Sequence, residues 1–341
     1  MTIAVALLRR LVLAPLILVA TLLMWTTIPL WLLGTGIASM FVPGWLRPVR
    51  LLWLLVLHMT LESIILIELL GLWIISGFGL WIRKPWFERV HYDIVQTYLV
   101  IFFGEARRVL RLKVRTVGRP PDAYPGSPLL VLCRHAGPGD SFTLMYALMH
   151  WYAREPRVVL KESLAWDPAL GVLMHRLPSR FVTPGQPDSE ERIGELAVGL
   201  DENDAFVIFP EGGNFTPERR ERAIARLRSL GFEAMAQRAE AMMHVLAPRP
   251  GGVLAALEAA PDVDVLMVAH TGMDHVRTLA DVWHSLPMDK EIQMAWWRVP
   301  REEIPTERED QIEWLFDWWA RIDAWIDTHR PRELPRPPRS A

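Results

Sequence analysis

Two long apolar stretches open the chain. From Leu11 to Leu46 no residue carries a formal charge, and from Leu51 to Ile82 the only formal charges are Glu62 and Glu68. A helix that crosses a bilayer needs about 20 apolar residues, so each stretch is long enough. Pro15, Pro29, Gly34 and Gly36 predict kinks in the first, which fits one tilted span plus an interfacial piece better than two spans. Pro43-Gly44 makes the turn, and residues 1–90 are expected to form a transmembrane hairpin anchor. A cleaved signal peptide is disfavoured, because its apolar core spans only about 7–15 residues. Glu62 and Glu68 are expected to face the partner helix or a headgroup layer, since the first span offers no charge to complete a relay.

The pattern then changes. His91 to Leu112 places Ile94, Leu99, Phe102, Phe103 and Val109 at helical spacing with a basic end, so residues 91–115 are expected as an interfacial amphipathic helix. Short apolar runs follow at Leu129–Cys133, Val158–Leu160, Phe206–Phe209 and Val263–Ala269. Helical stretches separate them, including Ser141–Tyr152, Pro168–His175, Ser189–Leu200 and Glu218–Val245. Such alternation predicts an α/β fold, a mixed sheet covered by helices, over residues 116–272. Residues 273–329 are expected as an extension with a strand at Ile292–Val299 and a Trp-rich helix near Glu309–Asp327, and 330–341 as a disordered Pro/Arg-rich tail.

Composition narrows the class. With 51% hydrophobic residues and a single cysteine, Cys133, the chain is neither a disordered nor a disulfide-built protein, and it has no multi-thiolate zinc site. The net charge of −2 hides an asymmetry, with residues 1–115 at +7 and the remainder at −9. A cationic end on apolar helices suits an anionic lipid surface, whereas an acidic globular part argues against nucleic acid. Arg9, Arg10, Arg83, Lys84 and Arg89 flank the hairpin and only Arg47 and Arg50 lie at its turn. An integral membrane protein with its catalytic domain on the cytoplasmic side is therefore expected.

Two loops carry the chemistry. In the run from Leu129 to Asp140 an apolar strand ends at His135, a Gly-Pro-Gly loop follows, and Asp140 opens a helix. Ligand sites of α/β folds lie at the carboxyl ends of strands. Five residues of loop allow Asp140 to return to one imidazole nitrogen, fixing the tautomer and leaving the other nitrogen to take a proton from a hydroxyl. By itself His-x4-Asp occurs often by chance, and Asp140 alone would serve as a helix N-cap. The second loop, Phe206 to Glu218, runs a strand into Pro210, Glu211, Gly212, Gly213 and Asn214 before a helix near Pro217. Glycines there admit an anion to backbone N–H groups, although a plain strand-to-helix turn reads the same way. His270, Asp274, His275 and His284 were the weak metal candidates, at spacings that match no familiar helical ligand pair, and no metal is expected.

Together, His135-x4-Asp140 and the later Phe-Pro-Glu-Gly of residues 209–212 resemble the lysophospholipid acyltransferase family. The stretch from Val159 through Lys161 to Gly171 is similar to the family's second block, and Pro248-Arg249 before Gly251 to its fourth. The tail strand and helix are similar to the C-terminal extension of its two-helix-anchored branch. The resemblance implies a glycerolphosphate acyltransferase-like fold, with His135 as general base and Asp140 orienting it. It further implies acceptor binding by Lys161, Glu211, Gly212, Gly213, Asn214 and Arg249. The acceptor would be a lysophospholipid such as 1-acylglycerol-3-phosphate, acylated directly from acyl-CoA or acyl-carrier protein without a covalent acyl-enzyme and without a cofactor.

The chain departs from the family at Arg134, where Asn is usual, and at Asn214 and Pro184, where phosphate-binding arginines are usual. The expectation divides accordingly. Either the acceptor carries a larger headgroup, or its phosphate is held by nearby cations, of which Lys161 and Arg249 are favoured over Arg219 and Arg134 because they match family blocks. Two other classes fit the same residues, a non-catalytic lipid-binding protein of this fold and a membrane lipid hydrolase.

Overall fold

A computed structural model describes residues 8–118, 126–137, 139–182, 189–276 and 278–331. Pro184, and the expected tail beyond Pro331, lie outside the described residues.

The sheet is built on apolar sequence. Strands β1 (Leu112–Val117), β2 (Leu129–Cys133), β3 (Glu155–Lys161), β4 (Ser179–Val182), β5 (Asp204–Ile208), β6 (Asp264–Thr271) and β7 (Lys290–Val299) form one sheet among the described residues. Their order is β1-β7-β6-β2-β5-β3-β4, and β6 with β7 is the antiparallel pair. Every residue of β2 and β5 is buried, as uninterrupted apolar runs require of central parallel strands covered on both faces.

Alternation assigns the faces. Leu130, Leu132, Phe206 and Ile208 pack with α7 (Ser189–Ala197), α8 (Pro217–Ser229), α9 (Glu233–Ala241), α10 (Pro250–Ala259) and α12 (Arg308–His329). Leu129, Val131, Cys133 and Val207 face α5 (Asp140–Tyr146) and the π-helical turn Ala147–Trp151 that continues it. The short helix α11 (Leu279–Ser285) precedes β7 and opens on a capping box between Thr278 and Asp281. The fold is thus the mixed α/β sheet covered by helices that the sequence predicts.

Three boundaries differ from the expectation. The helix expected from residue 91 runs from Pro85 to Leu110 and stops where Arg111 takes φ +58. Residues 112–115 then belong to β1, which pairs in parallel with β7, so the expected 91–115 helix is cut short by the sheet. β7, expected in a separate extension, lies between β1 and β6, so the sheet does not divide at residue 272. The single helix expected over Glu218–Val245 breaks at Gly231, whose φ of +81 lets Phe232 N–H turn back to the Leu227 carbonyl.

At the N-terminus, α1 (Ala14–Thr26) and α2 (Ile28–Phe41) belong to an apolar helix pair bent by 70°, with Pro29 at the break. α3 (Arg47–Ile75) is long and apolar enough to cross a membrane. One face of α3, with Leu52, Val56, Ile65, Leu66 and Leu69, is buried, and the opposite face exposes Leu55, Ile64, Ile67, Leu70 and Trp73.

The buried face docks on α4 (Pro85–Leu110) and α6 (Pro168–Arg176). Arg47 Nε donates to the Leu286 carbonyl at 2.5 Å, Trp53 Nε1 to Glu105 at 3.2 Å, and Arg176 Nη1 to the Leu69 carbonyl at 3.0 Å. Deleting residues 1–82 should therefore uncover Tyr92, Leu99 and Phe103 and yield a fragment that binds apolar dyes and aggregates without detergent. A monodisperse, dye-silent fragment would mean that α3 adds nothing to the core.

Candidate active site

β2 leaves the sheet between β5 and β6 and delivers Arg134 and His135 to its carboxyl edge. Beyond the paired residues Cys133 and Val268, His135 and His270 emerge side by side. The His135 main chain is held at both ends, its N–H donating to Glu211 Oε1 at 3.0 Å and its carbonyl accepting from Phe215 N–H at 2.7 Å. Its ring lies against Phe209 at 4.7 Å between centroids.

His135 Nδ1 stands 3.5 Å from Asp140 Oδ2. That is the long end of a hydrogen bond, as catalytic bonds often are before substrate tightens them. The other nitrogen, Nε2, has no hydrogen-bond partner among the described residues.

Asp140 does not cap its helix, whose N-cap is Gly139 without a side-chain bond. Its Oδ2 instead turns back to accept from the Ala136 and Gly137 amides, which shapes the loop around the imidazole. Burial alone would raise this carboxyl. His270, the bonds from His135 and Gly137, and the Arg134 charge outweigh burial and hold it below the usual carboxylate range. His270 Nε2 lies 3.6 Å from Asp140 Oδ2 and 3.3 Å from the Arg134 carbonyl. Burial lowers the His270 imidazole below its usual range, against the pull of Asp140.

Arg134, where the family pattern has Asn, is 1% exposed. Its guanidinium donates to the His270 carbonyl and to Asp274 Oδ1, both at 2.7 Å, and to the His244 carbonyl at 3.2 Å. Burial opposes its charge, but Asp274, Glu211 and Asp140 more than compensate. The residue is a buried strut that ties the ends of β2 and β6 to the segment before α10.

Glu211 is placed differently from the acceptor-binding role implied by resemblance. It is 2% exposed, with Oε1 on His135 N–H and Oε2 on Leu246 N–H at 2.9 Å. Both oxygens serve backbone, so it straps two loops together and has no face left for a ligand. Burial pushes its carboxyl up to about 7, against the pull of Arg134 and the two amides.

The Gly212 amide is also used, donating to the Phe209 carbonyl at 3.0 Å. What the glycines admit is arginine. A Cβ on Gly212, at φ +66, would meet the Arg249 guanidinium at 3.1 Å, and one on Gly213 would meet Arg219 Nη1 at 2.7 Å. Arg219 also donates to the Asn214 carbonyl at 3.1 Å, which brings a guanidinium to the loop position where the family has its own arginine.

Burial, then Arg226 and Arg219, depress the Arg249 guanidinium, so like charges are gathered here. Among the described residues neither Arg249 nor Arg226 has a carboxylate within ion-pair distance. Lys161, exposed at the end of β3, lies two strands from β2, about 10 Å along the same edge.

Sequence reasoning ranks Arg219 behind Lys161 and Arg249 as a phosphate contact, and it gives His270 no place beside the His135–Asp140 pair. His270, Asp274, His275 and His284 do not converge on one point among the described residues, since Asp274 binds Arg134 and His284 Nδ1 faces the Ala280 carbonyl. A pocket of about 370 Å³ opens nearby between α8 and the end of α12, lined by Phe215, Arg220, Met243 and His244. Neither His135 nor Asp140 lines it.

Residues 111–269 match the family model described as Acyltransferase. Among solved structures, the chain is similar to that of the 1-acyl-sn-glycerophosphate (LPA) acyltransferase PlsC from Thermotoga maritima, at 15% identity and a TM-score of 0.48, over 80% of this chain and 98% of that one. No curated protein matches the chain. His135, Asp140 and Glu211 all lie inside the segment 111–269 that is similar to the acyltransferase family.

Proposed function

We propose that the protein transfers a fatty acyl group from acyl-CoA or acyl-carrier protein to a hydroxyl of a lysophospholipid, with His135 as general base. The observation that carries this reading is the His135–Asp140 pair at the sheet edge with Nε2 open, beside an arginine pair on a glycine loop. His135 Nε2 takes the proton of the acceptor hydroxyl, whose oxygen attacks the thioester carbonyl. The C–S bond then breaks, and the imidazolium returns the proton to the departing thiolate. Asp140 holds the ring and balances its charge during the step. The substrate brings its own nucleophile, so no acyl-enzyme forms, and no cofactor takes part.

The same reading places the acceptor phosphate on Arg219 and Arg249, with Lys161 further along the edge. A second guanidinium on the loop offsets the missing arginine at Asn214, which favours a phosphate-bearing acceptor such as 1-acylglycerol-3-phosphate over a larger headgroup. A charge-assisted bond contributes about 1.5–3 kcal/mol. Arg219→Ala and Arg249→Ala should each raise acceptor KM about tenfold or more while kcat moves less, and Asn214→Arg should change little. Acceptor KM unchanged in both alanine variants would refute this assignment.

Access from a membrane is part of the proposal. Phe142 beside Asp140, and Leu164 and Trp166 after Lys161, are exposed, and the turn that carries Leu164 and Trp166 runs directly into α6, on which α3 docks. A lysolipid in a leaflet could enter along that surface with its headgroup at the arginines. The positive-inside bias sets the domain on the cytoplasmic side.

A further inference from the structure

Glu62 stands out among the groups the proposed reaction does not use. It lies midway along α3, is 6% exposed, and its Oε1 is buried without a hydrogen-bond partner. Around it are the Asp167 carboxylate and the Ala169 amide at the start of α6. His58, one turn earlier on the same face of α3, sets Nε2 3.5 Å from Glu62 Oε2. One ligand atom from each of His58, Glu62 and Asp167 lies within 4.8 Å of the other two.

We propose that these three side chains form a binding site for a divalent transition-metal cation of the zinc class, which pins α3 to the start of α6. Two carboxylates with one almost wholly buried make an uncompensated interior charge, which proteins avoid unless a cation or proton balances it. The imidazole is oriented for a metal. Its Nδ1 lies 3.1 Å from the Tyr98 hydroxyl, and a proton on Nδ1 directed there leaves the Nε2 lone pair facing Glu62. Two ligands of a tetrahedral ion with bonds of about 2.1 Å lie about 3.4 Å apart, close to the 3.5 Å between His58 Nε2 and Glu62 Oε2. The i, i+4 spacing of His58 and Glu62 puts both donors on one helical face, and Asp167 closes the set from the domain. One imidazole and two carboxylates suit zinc or manganese better than a thiolate-seeking ion. Asp167 also accepts from Leu170 N–H at 2.8 Å through Oδ1, so this second bond aims its carboxylate.

The test uses the full-length protein in detergent, stripped with chelator and titrated with Zn²⁺ by calorimetry and with Co²⁺ by visible absorption. The expected result is one equivalent of each, a tetrahedral Co²⁺ spectrum, and a melting temperature that rises with Zn²⁺. His58→Gln, Glu62→Gln and Asp167→Asn should each weaken binding at least tenfold; asparagine keeps the helix cap, and the other two are near-isosteric. Retained one-to-one binding in all three variants would place the metal elsewhere. No binding by the intact protein would mean that a proton balances Glu62, and either result overturns the proposal.

Discussion

Asp140→Asn should lower kcat for acyl transfer by up to about 10⁴-fold, the scale of the equivalent change in a serine-protease triad. Three bonds meet on Asp140 Oδ2, from His135 Nδ1 and from the Ala136 and Gly137 amides. Asparagine can set its one carbonyl oxygen where these three donors meet, but it carries no negative charge. The ring then loses the charge that balances the imidazolium. Acceptor KM, set by Arg219 and Arg249, should move far less. A loss confined to KM would mean that Asp140 only shapes the loop. His135→Ala removes the base itself and should cost about 10²–10⁴-fold in kcat with the fold intact.

The largest loss of stability is expected from Arg134→Met. The methionine fills similar volume but removes the guanidinium donor from Asp274, the His270 carbonyl and the His244 carbonyl. Breaking a buried ion pair costs about 3–5 kcal/mol. The lower end applies because the Asp274 side chain is 28% exposed. Burial would raise Asp274, but Arg134 and the Thr271 and Gly272 bonds hold it far below the usual carboxylate range. A depressed acid stabilises the folded state above its unfolded value, near pH 4, and the gain is lost as pH falls through the folded value. Wild type should therefore lose this contribution only in strong acid, whereas the variant should be destabilised already at pH 7. Glu211 would also lose the cation that opposes its upward shift. Chemical denaturation of both proteins at pH 7 and pH 4 checks this, and equal midpoints at pH 7 would refute it.

How far the sequence spoke depends on the distance over which each partner lies. β2, β5 and β6 are readable because buried parallel strands need unbroken apolar runs, and Leu129–Cys133 and Phe206–Phe209 supply them. β1 is not, since Leu112-Lys-Val-Arg-Thr-Val reads as the basic end of the preceding helix until β7, nearly 180 residues later, pairs with it. The four residues of β4 are too few to show a period.

In the site, His135 and Asp140 are five apart and the loop between them is short, so their meeting follows from local geometry. Glu211 is a different case. The family resemblance implies acceptor contact for it, but its two oxygens serve the His135 and Leu246 amides, 76 and 35 residues away. Arg219 lies outside the family motif and so ranks behind Lys161 and Arg249 in the sequence; the packing of its guanidinium against Gly213 is what brings it to the loop. The same holds for Asp167, which joins His58 and Glu62 from more than 100 residues further along the chain.

The most direct measurement is product analysis by mass spectrometry, with purified protein given labelled acyl-CoA and a panel of lysolipids, alongside His135→Ala. The account predicts labelled diacyl product, foremost from 1-acylglycerol-3-phosphate, and its loss in the variant with lysolipid binding retained. Free labelled fatty acid in place of diacyl lipid, or equal product from the His135→Ala protein, would contradict it.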